Sequence, residues 1–566
     1  MNTELIGVLF ILLLTIILAF PLGRYISKVF KGEPSLLDFV SPLERFIFRI
    51  SGIDPDQPMD WKQNAWALLK LNVFFFIWGI VILLIQSWLP FWNPNHIGGM
   101  SLTQAFHTAV SFVTNTNQQH YAGETSASYF SQLMVFCYLQ FVSAGTGIAA
   151  AALVFKGLAT KQSDNLGNYY DLFLKSCTRI LLPLSIILAV FLLFNGTPDT
   201  FQANQVITTL EGHTQTVATG PAAPMVAVKQ LGTNGGGFFG TNSAHPFENP
   251  NYLTNITENV AILLIPMALI FAFGFYLEKK KLALIIFSVM LLGFLIPLGV
   301  GLHYELQGNP SITQMGIHQP KGNMEGKEER FGPAATTLWA MSTTTTSNGS
   351  VNGMHDSLMP LTGAMALLNM FMNSNFGGVG VGFLNFFLFL IVAVFIAGLM
   401  IGRTPEWLGK KIEGKEVTIA ALLIILHPLL TLGGTTLSTW LITLHSDWTW
   451  LTNTSFHGFS EMLYEFTSAS ANNGSGFEGL LDNTVFWNLS CGFIMLLGRY
   501  LPIIGPLAIA GSLASKKQIP NSAGTLPSDS WALGLIIFAV IIFVAALSFF
   551  PVLTLGPISE HFTLFH

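Results

Sequence analysis

The chain has 566 residues, of which 51% are apolar and only 10% charged, a balance that excludes a string of soluble domains and points to a protein built within a bilayer. A net charge of −5 spread over this length offers no basic stripe for a nucleic acid. Cys137, Cys177 and Cys491 lie in or near apolar stretches without metal-type spacing or a disulfide framework, and read as small buried hydrophobes.

The first element, 5–22, is preceded only by Glu4 as a charge and lacks a small-x-small cleavage site, so it is expected to be a retained span rather than a cleaved signal. It belongs to an extra N-terminal unit, 1–25. The next unit, 63–160, holds an apolar span at 65–89 and a short helical piece at 102–113. The polar run Thr114-Asn115-Thr116-Asn117 and a second span at 130–155 complete it. Unit 176–280 repeats the order, with a span at 178–194, a short helix at 225–232, the run Thr233-Asn234-Gly235-Gly236-Gly237 and a span at 260–277. Unit 282–415 has its span at 282–302, a short helix at 333–345, the run Thr345-Thr346-Ser347-Asn348-Gly349 and a span at 383–400. Unit 416–517 has a span at 418–444, a short helix at 461–470, the run Ala471-Asn472-Asn473-Gly474 and a span at 484–513. A last span at 531–551, in 528–566, closes the series. The expected fold is therefore an all-α polytopic membrane protein with ten transmembrane helices, four re-entrant half-helices and four pseudo-repeats of span, pore loop and span.

Charge orients the chain. With both termini outside, 20 of the 25 basic residues fall on the cytoplasmic side, and Lys70 at a helix entrance makes 21. Lys229, Lys321, Lys327 and Arg330 remain outside, the last three beside Glu325, Glu328 and Glu329. All four polar runs then lie on the outer side.

Polar backbone at membrane depth must line a cavity or be buried in protein. One such run would be an ordinary loop; four in register with half-helices suggest a ring of backbone carbonyls, the arrangement that replaces the water shell of a potassium ion. Gly235, Gly349 and Gly474 offer the left-handed backbone that aims carbonyls inward, and Asn117 or a neighbour offers it in the first unit. The partly negative C-terminal ends of the half-helices favour a cation. No ring of carboxylates is present, which argues against a calcium- or sodium-type filter.

The inner helix of the third unit is broken. Leu361 to Met372 reads as helix, and Asn373-Ser374-Asn375-Phe376-Gly377-Gly378-Val379-Gly380-Val381-Gly382 does not. A loop below a filter suggests a gate, with Gly377, Gly378, Gly380 and Gly382 as its movable backbone. Arg403 and Arg499 stand towards the inner ends of two helices, where snorkelling, repulsion of cations at an exit and pairing with a partner all remain open. Glu465 lies within the fourth short helix and Glu461 near its start, where it would either satisfy helix-start amides or serve transport.

Several strings resemble one family. They are Val113-Thr114-Asn115-Thr116-Asn117, Leu231-Gly232-Thr233-Asn234-Gly235-Gly236-Gly237-Phe238-Phe239 and Asn242-Ser243-Ala244-His245-Pro246-Phe247-Glu248-Asn249-Pro250. With Met354-His355-Asp356-Ser357 and Gly402-Arg403-Thr404-Pro405-Glu406, they resemble KdpA, the potassium-binding subunits of the bacterial potassium-transporting ATPase. The resemblance runs from the first helix to the last and implies a fold related to the Trk/Ktr/HKT potassium transporters. It implies a location in the bacterial inner membrane and potassium as the transported ion, with no nucleotide bound by this chain. It implies filter residues Asn115, Thr116, Gly235, Gly349 and Gly474, an influence of Gln119 on affinity, and gating by the third-unit loop. It also implies partners: KdpB, a P-type ATPase that receives the ion sideways through a tunnel, together with KdpC and KdpF. Two departures stand out. Gln118 takes the place of an expected tryptophan, and Ser347-Asn348-Gly349-Ser350 that of Ser-Cys-Gly-Ala.

The chain has no Gly-x-x-x-x-Gly-Lys-Ser/Thr phosphate loop and no Asp-Lys-Thr-Gly string, so energy for uphill transport would come from a partner. A self-sufficient channel or symporter of the Trk/Ktr/HKT kind is the alternative. A membrane enzyme is disfavoured, since the 13 histidines show no His-Glu-x-x-His pattern or base–nucleophile partner.

Overall fold

The computed structural model describes residues 3–402, 404–445, 449–518, 527 and 529–565. Among these, ten helices are long and apolar enough to cross a membrane. They are Glu4–Lys31, Trp61–Trp88, Tyr129–Ala159, Tyr169–Phe194, Tyr252–Tyr276, Lys280–Gln314, Val381–Met400, Gly414–His445, Val485–Ser515 and Trp531–Phe565. Four shorter helices, Leu102–Val113, Ala222–Leu231, Gly332–Thr346 and Ser455–Ala471, fall between the two spans of successive units. The chain is thus a multi-pass helical membrane protein. Strands among the described residues form two hairpins, Gln205–Thr208 with Thr214–Val217 and Glu406–Trp407 with Lys410–Lys411.

The inner helix of the third unit is interrupted as its composition suggests. Pro360–Met372 ends at Asn373 in a left-handed turn (φ 42°), and helix resumes at Val381. The fourth span begins earlier than expected, at Tyr169, because helix continues through the charged residues that hydropathy treats as a boundary. Arg179 is not left bare there: its guanidinium meets Glu44 (Nε–Oε1 2.8 Å) and Asp38 (Nη1–Oδ1 2.8 Å). Asn168 caps the start by accepting from the Tyr170 amide at 2.9 Å.

Small residues let the helices approach. Ala149, Ala150, Ala151 and Ala152 on the third span are all buried, whereas Leu9, Phe10, Leu13 and Ile17 of the first span are exposed on its free face. That first span packs along Tyr252–Tyr276. At their crossing a Cβ on Gly23 would lie 2.6 Å from the Ala268 carbonyl oxygen and 2.7 Å from Phe271 Cβ. Gly23→Val is therefore expected to lower stability by about 1–3 kcal/mol through overpacking, read as an earlier thermal transition of the detergent-solubilised protein.

Candidate functional site

The four polar runs adopt one backbone conformation. Asn115, Thr233, Ser347 and Asn472 take left-handed φ values of 58°, 48°, 51° and 53°, just after each half-helix. Two residues on, Asn117, Gly235, Gly349 and Gly474 are left-handed again, at 53°, 84°, 84° and 107°. Between them, Thr116, Asn234, Asn348 and Asn473 each donate a backbone N–H to a carbonyl five residues back. The acceptors are Ser111 (2.9 Å), Lys229 (3.1 Å), Thr343 (3.0 Å) and Ser468 (2.9 Å). Each strand thus spends an amide on its own half-helix, whose last carbonyls need partners. At the second left-handed position Gly is favoured and Asn tolerated, and Asn117 fills in the first unit the place glycine fills in the others; at the first position Thr233 and Ser347 adopt the left-handed conformation as well.

The strands meet one another. A Cβ on Gly235 would lie 1.8 Å from the Asn348 carbonyl oxygen, one on Gly349 2.5 Å from that of Asn473, and one on Gly474 1.9 Å from that of Thr116. Asn115 Nδ2 closes the remaining side, donating to the carbonyls of Gly232 (3.0 Å) and Thr233 (3.1 Å). Asparagine side chains tie each strand to a neighbouring unit: Asn348 Nδ2 to the Lys229 carbonyl (3.2 Å), Asn473 Nδ2 to that of Thr343 (2.8 Å), and Asn472 Nδ2 to Thr116 Oγ1 (2.9 Å). Thr114 Oγ1 lies 2.7 Å from Thr116 Oγ1. All these residues are buried.

The sequence reading missed the support behind the second strand. Asn242 Nδ2 donates to the Gly235 carbonyl at 2.7 Å, so that oxygen already has a partner. Lys229 Nζ donates to Asn242 Oδ1 at 2.7 Å and pairs with Glu248, and both charged side chains are wholly buried. Lys229 is thus no outside surface charge. Gln230 Nε2 joins Glu258 (2.8 Å) to Ser350 Oγ (3.0 Å) of the third unit. The density of Asn, Ser and Glu in the Asn242–Pro250 string was the available signal.

Gln119 stands beside the ring rather than in it, its Oε1 accepting from the Gly237 amide at 3.2 Å. Gln118 donates to the Glu465 carbonyl at 2.9 Å. His120 stacks on His107 with centroids 3.7 Å apart, and its two nitrogens lie 2.8 Å from Asn488 Oδ1 and 2.9 Å from Glu465 Oε1. Glu461 sits in the second turn of Ser455–Ala471 and accepts from the Asn453 side chain at 2.9 Å, so it does not cap the helix start.

The interrupted third-unit segment lies against the ring. The Gly377 amide donates to the Thr345 carbonyl (3.0 Å) and the Val379 amide to Thr233 Oγ1 (2.9 Å). A Cβ on Gly380 would lie 2.0 Å from the Gly147 carbonyl oxygen, and one on Gly377 2.2 Å from Gly382 Cα. Arg499 lies midway along Val485–Ser515, 2% exposed, with Nη1 3.1 Å from the Cβ position of Gly378. Its position is thus not an inner end, and its side chain does not snorkel to an interface. Arg403 lies outside the described residues.

A single chain that folds four pore-loop units around one ring of strands belongs to the class of four-sector membrane transport proteins. Its fold is similar to that of the potassium transporter TrkH from Vibrio parahaemolyticus, with a TM-score of 0.52 at 15% identity, covering 90% of this chain and 98% of that one. Residues 9–562 match the KdpA family, described as the potassium-transporting ATPase A subunit. A protein of Flavobacterium psychrophilum named potassium-transporting ATPase potassium-binding subunit is 57% identical, with all of both chains covered. One of the same name from Bacteroides thetaiotaomicron is 54% identical, again over all of both chains. The chain belongs to the KdpA family.

Two outcomes follow from this geometry. Asn473→Leu leaves the Thr343 carbonyl without its side-chain donor and is expected to cost about 1–3 kcal/mol, read in the thermal transition. Burial disfavours a charged His120 ring, but Asp482, Glu465 and Asn488 facing it outweigh that and push it up to about 9. A histidine raised above its unfolded value, near 6.5, stabilises the fold below that pH and loses the contribution as pH rises through its folded value. Thermal stability should therefore fall between about pH 7 and about pH 9, and His120→Gln should flatten that slope.

Proposed function

We propose that this chain is the potassium-selecting subunit of an ATP-driven uptake complex. The observation that carries the reading is the left-handed, ordinary, left-handed alternation repeated in all four strands, packed edge to edge around one ring. With their amides held by the half-helices, the strands keep carbonyl oxygens to exchange for the hydration shell of potassium. Thr114, Asn115, Thr116 and Asn117 supply the first sector, and Thr233, Asn234 and Gly235 the second. Ser347, Asn348 and Gly349 supply the third, and Asn472, Asn473 and Gly474 the fourth. Gln119 steadies the second strand through Gly237 and so tunes affinity. The units 63–160, 176–280, 282–415 and 416–517 are the sectors, flanked by 1–25 and 528–566.

The loop bearing Gly377, Gly378, Gly380 and Gly382 is the gate beneath the filter. Arg499, facing it, opposes straight passage of a cation into the cytoplasm, so the ion leaves sideways. Energy comes from a P-type ATPase partner, KdpB, with KdpC and KdpF completing the complex. The membrane potential alone supplies about 2.3 kcal/mol per charge per 100 mV, too little for scavenging against a steep gradient. The protein lies in the bacterial inner membrane among lipids, with both termini outside, as the distribution of basic residues supports.

The test is growth of a bacterium stripped of its own potassium uptake, at micromolar potassium, expressing this chain alone or with its partner subunits. Rescue only with the partners is expected, and Gly235→Asp should abolish it or raise the potassium required by at least tenfold, since its side chain would meet the Asn348 carbonyl. Rescue by the chain alone would make it a self-sufficient channel or symporter.

A further inference from the structure

One group of ionisable side chains plays no part in the ring. Asp356 lies beyond the third strand, in the Met354-His355-Asp356-Ser357 string, and is brought against the fourth half-helix. His457 and Glu461 are four residues apart on that half-helix and so share a face. One ligand atom from each of these three residues lies within 4.8 Å of the others. His457 Nε2 is 2.9 Å from Asp356 Oδ1, and its Nδ1 is 2.8 Å from Glu560 Oε1 on the C-terminal helix Ser559–Phe565. Asn453 Nδ2 bridges Glu461 Oε1 (2.9 Å) and Asp356 Oδ2 (3.3 Å), and Glu478 Oε2 accepts from the Asp356 amide at 3.3 Å.

Two features go beyond a cluster of acids. Glu461 is 0% exposed, yet its Oε2 has no hydrogen-bond partner. A buried carboxylate oxygen left bare is costly, and a cation relieves that cost. The second feature is the histidine's orientation. A carboxylate on Nδ1 fixes the ring so that Nε2 points at the other two carboxylates, as around metal-ligating histidines. Three carboxylates, those of Asp356, Glu461 and Glu560, surround a single imidazole, so even a fully protonated ring leaves excess negative charge. The His457, Asp356 and Glu560 side chains keep 19%, 10% and 26% exposure, which leaves a way in.

We propose that Asp356, His457 and Glu461 bind one divalent transition-metal ion of the zinc class, with Glu560 positioning the imidazole. One nitrogen and two carboxylate oxygens with an open fourth position suit zinc, whereas magnesium prefers oxygen and water alone. The bound ion would replace the proton shared between His457 Nε2 and Asp356. It would clamp the loop after the third strand to the fourth half-helix and, through Glu560, to the C-terminal helix.

The test is calorimetric titration of zinc into the chelator-treated, detergent-solubilised protein with excess magnesium present. One ion per chain is expected, with affinity lowered roughly 100-fold or more by His457→Gln or Glu461→Gln and roughly 10-fold by Glu560→Gln. Should the variants unfold, zinc-edge X-ray absorption of the native protein decides. One nitrogen and two or three oxygens at about 2.0–2.2 Å support the site. Absence of stoichiometric binding, a multi-histidine shell, or unchanged affinity in the variants overturns it and leaves zinc to exposed histidines such as His96, His213, His303 and His318.

Discussion

The structure depends on how four helix ends are satisfied inside a membrane protein. A re-entrant half-helix finishes with carbonyls that have no partner and no bulk water. Here the solution is the same four times: a left-handed turn sends the next amide back to the carbonyl five residues before it. That bond reverses the chain and occupies an amide, so the strands face one another largely through carbonyls. Four sets of carbonyls would repel each other without ties. Asn115, Asn348, Asn472 and Asn473 provide these, each side-chain amide donating to a neighbouring unit. Because one chain supplies all four units, the ring closes between its ends in sequence, where Asn472 of the fourth unit meets Thr116 of the first.

The units share a backbone but not a surrounding. The second strand rests on a wholly buried Lys229–Glu248 pair, linked to the strand by Asn242. Buried ion pairs rarely add net stability, but they hold geometry, because losing either partner strands a charge. The first strand rests instead on the stacked His107 and His120 and on Glu465 from the fourth half-helix. The third unit breaks its inner helix, and the freed amides of Gly377 and Val379 find partners on the ring itself. Movement of that segment therefore cannot be independent of the ring: the Thr233 hydroxyl and the Thr345 carbonyl would have to be released.

Most of this architecture was legible in the sequence. Spans and half-helices follow from length and hydropathy, and the strands from Gly, Asn and Thr clustered between them. The break at 373–380 was visible because four glycines and two asparagines crowd into 373–382. What stayed hidden depends on distant partners. Hydropathy starts the fourth span at 178, beside Arg179, but Glu44 and Asp38, more than 100 residues earlier, neutralise that arginine, and the helix begins nine residues sooner, at Tyr169. Lys229 reads as an exposed cation until Glu248 is placed beside it. Arg499 follows a Leu-Leu-Gly run like that of a helix end, yet its helix continues for sixteen further residues, to Ser515. Glu461 reads as a cap only while the helix start is placed at 461; in the fold it begins at Ser455. For Gln119 the resemblance implies only an influence on affinity, and its contact with the Gly237 amide of the second unit is a long-range partner that the sequence does not display.

The central claim is that these four strands encircle a single ion route. The most direct measurement is the anomalous scattering of thallium or rubidium, as potassium substitutes, from crystals of the assembled complex. The account predicts peaks on the common axis of Asn115–Asn117, Thr233–Gly235, Ser347–Gly349 and Asn472–Gly474, within reach of their carbonyl oxygens. Peaks confined to other cavities, with none between the strands, would contradict it.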